Sequence, residues 1–168
     1  MLDFLVRVLH FVILNSQAQQ LPDTQPDEVS AFVAVAVFEE TPRISAELLV
    51  SLAWGESRFK QDAGPGCGVL QVFPQYLNRP EWTCKVLKTD LVLAVRSAVV
   101  ALDEMLDDKR VRGNLHRALM YRACGNVFFE GKCNDKKGLW VQAAEGRAQG
   151  LIPDVRPSYH VRELKPSM

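Results

Sequence analysis

The stretch SLAWGESRFKQDAGPGCGVLQVFP, residues 51–74, carries Glu56 at the end of an apolar run, and a glycine-rich turn follows it. Glu56 lies three, four and seven residues after Ala53, Leu52 and Leu49, spacings that put all four on one face of a helix. A carboxyl group there is withdrawn from water, and in a last turn it also meets the carbonyl end of the helix dipole. Both effects work against its ionised form. A carboxylic acid that keeps its proton near neutral pH is what a glycosidic general acid requires. The plainer alternative is a hydrogen-bonded or surface glutamate with no chemistry. Asp62 is the obvious second carboxylate, but its place in the loop just past the helix suits an ordinary turn aspartate better.

Helices must position these groups. Residues 27–40 read as a first helix with Asp27 as its cap. Pro42 breaks the chain, and Ser45 then caps a helix over AELLVSLAWGESRF, residues 46–59. Residues 62–84 are loop-like, punctuated by Gly64, Pro65, Gly66, Gly68, Pro74 and Pro80, with VLQVF as a short strand or a core-crossing segment. Leu91, Val95, Val99, Leu102 and Leu106 line one face of the most hydrophobic helix, expected to be central and buried. NLHRALMYRAC, residues 114–124, and GLWVQAAEGRAQG, residues 138–150, complete a mainly α domain spanning 27–150, with a loose tail over 151–168.

The 168 residues suffice for one domain with a real core. Twenty basic and twenty acidic residues leave no net charge, which argues against nucleic acid as a partner. Residues 1–18 hold an apolar run from Val8 to Leu14 and end in Ser16-Gln17-Ala18, a pattern that reads as an export signal or hydrophobic leader. Residues 19–26 read as a linker. Behind the leader stand four cysteines, which suggests two disulfides. Three connectivities are open, and local pairing, Cys67 with Cys84 and Cys124 with Cys133, is favoured. Neither a CxxC pair nor a His-x-x-x-His spacing supports zinc.

Three segments in order, AELLVSLAWGESRF, AGPGCGVLQVFP and ALMYRACGN, resemble the motifs of soluble lytic transglycosylases, which share the lysozyme-like group with goose-type lysozymes. That family has a helix ending in Glu-Ser, matched by Glu56-Ser57. It has a Gly-Leu-Met-Gln segment, matched by Gly68-Val69-Leu70-Gln71, and an Ala-Tyr-Asn-Ala-Gly helix, matched at Tyr121. Arg122 stands where asparagine is usual, and Cys124 precedes Gly125. The resemblance implies a lysozyme-like single domain with a glycine-rich loop or small β element beside the catalytic helix. It further implies that Glu56 cleaves the bond between N-acetylmuramic acid and N-acetylglucosamine in peptidoglycan, leaving a 1,6-anhydro end, with no metal or cofactor. Ser57, Gln71 and Tyr121 would bind the sugar. Arg122 would point outward as a solvated charge, Cys124 would brace the turn with Cys133, and His116 would be structural or exposed. Trp54, Phe73 and Trp82 would stand near the saccharide groove, Trp54 more as core. Such minimal exported domains open the wall locally for a secretion, conjugation or phage assembly. Goose-type hydrolysis through Asp62 and a non-catalytic peptidoglycan-binding protein are the alternatives.

Overall fold

Side-chain caps start five of the helices. Ser45 Oγ accepts from Leu48 N at 3.3 Å, Thr83 Oγ1 from Val86 N at 3.3 Å, Asp90 Oδ1 from Leu93 N at 2.9 Å, Asn114 Oδ1 from Arg117 N at 2.9 Å and Asn134 Oδ1 from Lys137 N at 3.2 Å. Each bond satisfies a donor that the first helical turn leaves unpaired. The computed structural model describes residues 1–19, 25–62, 64–77 and 79–151. Among them run seven α-helices: α1 (Leu2–Gln19), α2 (Pro26–Glu39), α3 (Ala46–Glu56), α4 (Cys84–Thr89), α5 (Leu91–Asp107), α6 (Leu115–Cys124) and α7 (Asp135–Leu151). The mainly α expectation holds. Among the described residues there is no strand, and the VLQVF segment contributes a single bridge between Cys67 and Val72.

Several boundaries differ from the sequence reading for local reasons. Pro26, with its fixed φ, starts α2, so Asp27 sits inside the first turn rather than capping it. α3 stops at Glu56 instead of Phe59. A further helix, α4, begins at Cys84, the last residue of the segment read as loop, and α7 begins at Asp135, three residues before Gly138.

The helix buried all round is α3, not α5. Ala46, Leu48, Leu49, Val50, Leu52, Ala53 and Trp54 are all buried, the pattern of a helix enclosed by neighbours. It packs chiefly against α7 and also against α2, and Ser51 Oγ donates to Ala144 O at 2.6 Å to join α3 to α7. α5 is one-faced: Val95, Val99, Leu102 and Leu106 of the expected stripe are buried with Ala94, Ser97, Ala98 and Ala101, while Leu91 is half-buried.

The apolar segment, open in sequence to an export signal, an uncleaved membrane-associated helix or an ordinary N-terminal helix, forms α1, which packs on α2 and α7. Phe4, Val8 and Val12 recur every fourth residue and are buried in the common core, each worth about 1.5–3 kcal/mol when fully removed from water. Phe11 meets Trp54 edge-on at 5.5 Å. No helix among the described residues is long and apolar enough to cross a membrane. The linker expected over 19–26 falls at 20–24 outside the described residues, as does the tail beyond Leu151. Leu151 itself is the buried last residue of α7.

The cysteines pair locally, Cys67 with Cys84 and Cys124 with Cys133, at Cα separations of 5.1 and 5.7 Å. The first ties the glycine-rich loop to α4. The second closes the turn after α6.

Candidate active site

α3 delivers Glu56 as its last residue, and the chain then reverses sharply. Ser57 caps the end: its backbone N and its Oγ both donate to Ala53 O, at 3.0 and 3.2 Å. Arg58 and Phe59 follow with φ of 56° and 66°, a left-handed conformation that bulky side chains avoid. Packing holds them there. Phe59 is buried edge-on against Phe32 at 5.3 Å. The Arg58 guanidinium lies 4.4 Å above the Trp54 ring and donates to Trp54 O. Burial depresses the Arg58 pKa. Strain of about 1–3 kcal/mol per such residue persists where the surroundings over-determine it, commonly at functional sites.

Beyond the reversal, residues 64–72 fold around the side chain of Gln71. Gly66 N donates to Gln71 Oε1 and Gln71 Nε2 donates to Gly68 O, both at 2.9 Å. Backbone bonds between Cys67 and Val72, at 2.8 and 3.0 Å, close the loop. A Cβ on Gly64 would lie 2.2 Å from Gln71 Oε1, and one on Gly66 would lie 2.6 Å from Gln71 O. Glycine is therefore demanded by the closeness of the Gln71 chain, and Gln71 itself takes φ of 51°. Gln61 Nε2 donates to Leu87 O at 2.7 Å, pinning the exit from α3 to α4.

Glu56 meets the last turn of α6. The contact from α6 is made by Arg122. Its Nη2 lies 3.4 Å from Glu56 Oε1 and also donates to Leu70 O. The side chains are 10% exposed at Arg122 and 25% exposed at Glu56. The expectation of a solvated, outward Arg122 is thus corrected: the long side chain turns inward and meets both other motif segments. Its Nε is buried without a hydrogen-bond partner among the described residues, an arrangement that costs about 1–3 kcal/mol.

The other expected site residues are spread differently. Ser57 is 6% exposed with its hydroxyl spent on the helix end, and Gln71 is 6% exposed with its amide spent inside the loop. Tyr121, one residue before Arg122, packs edge-on against Phe129 at 4.9 Å, and its hydroxyl accepts from Arg110 Nη2 at 3.4 Å. Arg110 in turn forks onto Asp108, whose pKa it draws down to about 2. The structure therefore brings together Glu56, Leu70 O and Arg122, and leaves the Tyr121 hydroxyl with the Arg110 cluster. Trp54 and Trp82 are buried, while Phe73 is 43% exposed. Asp62 is exposed on the loop. His116 Nδ1 lies 2.9 Å from Glu145 Oε2, linking α6 to α7.

The turn closed by Cys124–Cys133 carries Phe129, which packs against both Tyr121 and Phe128, and Arg110 stacks on Phe129 at 4.1 Å. A Cβ on Gly55 would lie 3.0 Å from Arg147 Nη2 and 3.2 Å from Trp140 Nε1, so α7 passes close beside the helix end that carries Glu56. A depression of about 360 Å³ at Glu40, Thr41, Pro42 and Ser45 adjoins the opposite end of α3, about 16 Å from Glu56 by the rise of an eleven-residue helix. Among the described residues no group of three His, Cys, Asp or Glu could hold a metal ion.

The arrangement places one carboxyl group at a helix end, facing the Arg122 guanidinium, which also holds the Leu70 carbonyl. Sequence reasoning missed Arg122, although its departure from the motif's asparagine marked the position. No family model, curated protein or solved structure matches the chain.

Proposed function

We propose that the chain is a peptidoglycan lytic transglycosylase on a lysozyme-like domain, with Glu56 as its acid and base. The observation that carries this reading is that Glu56, at the end of the buried helix α3, meets Arg122 in the last turn of α6, whose Nη2 also donates to Leu70 O. These are the three segments that resemble the family's motifs. Asp62, the other carboxylate weighed for the chemistry, lies exposed on the loop, which favours a one-carboxylate route over the usual pair.

In that route Glu56 gives its proton to the oxygen linking N-acetylmuramic acid to N-acetylglucosamine, and the bond from that oxygen to the muramic C1 breaks. The muramic C6 hydroxyl oxygen then bonds to C1. Its proton passes to the Glu56 carboxylate, which restores the acid. No water is consumed, and the product ends in a 1,6-anhydro ring. Action on the wall requires export, and two disulfides fit an oxidising compartment.

The second reading is a glycan-binding protein without catalysis. The observation favouring it is the Arg122–Glu56 ion pair, because a proton donor gains nothing from a guanidinium at rest. Release of soluble glycan from purified peptidoglycan separates the readings. The wild type should release it and a folded Glu56→Gln variant should not. Equal release by both would reject Glu56 as the acid, and wall binding without release would favour the second reading.

A further inference from the structure

We propose that Arg122 is a positioning residue of this site, whose guanidinium holds the Glu56 carboxylate in register with the Leu70 carbonyl. The inference rests on the glycan-cleaving reading above and extends it, since the resemblance supplies asparagine at this position and no arginine.

Three observations carry it. Among the described residues Arg122 alone joins all three motif segments: it is borne by α6, donates to Leu70 O in the loop and reaches Oε1 of Glu56 at the end of α3. A lysine or arginine in the last turn of a helix ordinarily stands in water beside the exposed carbonyls, yet this side chain is only 10% exposed. Both contacts also come from Nη2, while the buried Nε has no partner among the described residues. A guanidinium placed for its own hydrogen bonding would use its fork on both edges. Here the side chain lies where Glu56 and Leu70 need it.

The chemistry gives the contact a direction. The proposed first step needs a proton on Glu56, and in that form its contact with Arg122 is one between an acid and a cation. As the proton leaves for the glycosidic oxygen, the group becomes a carboxylate facing a guanidinium, and a hydrogen bond from a cation to a neutral acid becomes an ion pair, which is stronger. An interaction that strengthens along the step acts on kcat more than on KM. Arg122 touches Glu56 rather than the sugar, so it acts through the acid by fixing where the proton sits.

The test measures kcat and KM on purified peptidoglycan glycan for wild type, Arg122→Met and Arg122→Lys, with melting temperature read on each. Arg122→Met keeps much of the length and loses both hydrogen bonds. Its kcat should fall about 10²-fold, the scale of a displacement near 1 Å at a reacting group, while KM stays within about threefold. Arg122→Lys supplies a point charge that reaches one partner at a time, and its kcat should lie between the two. Ethylguanidinium added to Arg122→Ala should restore kcat at least about tenfold, a gain that packing alone would not produce. Wild-type kcat in Arg122→Met, a loss expressed in KM, or an absence of rescue would each overturn the proposal. If Arg122→Met does not fold, Arg122→Lys decides, and wild-type kcat there overturns it. Failure of the wild type to cleave glycan would remove the reading beneath and this proposal with it. Cleavage by the wild type with no effect at Arg122 would remove the proposal alone.

Discussion

Gln71→Ala distinguishes a residue that braces the loop from one that presents its amide to a sugar. The Gln71 side chain fills the centre of the 64–72 loop, accepting from Gly66 N and donating to Gly68 O at 2.9 Å each. Truncation leaves the Gly66 N–H without its acceptor in a buried position, at a cost of about 1–3 kcal/mol. The Gly68 carbonyl keeps the backbone bond from Gln71 N, at 3.0 Å, so its loss is nearer the net value of one neutral bond, about 0.5–1.5 kcal/mol. The sum is about 1.5–4.5 kcal/mol, which for a chain of this size lowers Tm by roughly 3–18 °C. Gln71→Gly removes the same bonds but relieves the positive φ, so it should be milder than Gln71→Ala by about 1 kcal/mol. Thermal melts of wild type, Gln71→Ala and Gln71→Gly make the comparison. If Gln71→Ala melts within about one degree of wild type and loses glycan binding, the amide faces the ligand and the bracing account fails.

Glycine packing and the disulfides give the remaining outcomes. Gly68 has φ of 70°, and a Cβ there would lie 2.6 Å from Leu87 O and 2.8 Å from Ala94 Cβ, so Gly68→Ala should cost at least about 2 kcal/mol in chemical denaturation. Gly146, inside α7 with open space where a Cβ would stand, is the control, and Gly146→Ala should stabilise by about 0.5–1 kcal/mol. The unreduced protein should give no alkylation at any of its four cysteines, and each bridge should contribute about 2–3 kcal/mol against its reduced form. Four alkylated thiols without reductant would contradict the pairing.

Much of the frame was legible because its signals are local. Ser45 caps α3 where its type and the following apolar spacing place it, and the local disulfide pairing follows from cysteines close in sequence. The reversal after Glu56 was not legible. Left-handed turns are announced by glycine or asparagine, whereas here Arg58 and Phe59 are held by burial and stacking on Trp54 and Phe32, contacts that exist only once the fold is formed. The role of α1 was hidden in another way. An apolar run with few charges reads alike whether it is a leader or a helix that buries Phe4, Val8 and Val12. At the candidate site, spacing placed Glu56 at the helix end. It did not reveal that Gln71 turns inward or that Arg122, beside the expected Tyr121, is the side chain that reaches the carboxylate. Those outcomes depend on how far each side chain extends across an inter-helix gap.

The most direct test of the central claim is mass spectrometry of the soluble products that the protein releases from purified peptidoglycan, with folded Glu56→Gln in parallel. The account predicts glycan fragments lighter by one water than hydrolytic products, formed by the wild type and absent with Glu56→Gln. Fragments with ordinary reducing ends would make the protein a hydrolase and turn attention to Asp62, and anhydro products from Glu56→Gln at the wild-type rate would contradict the account.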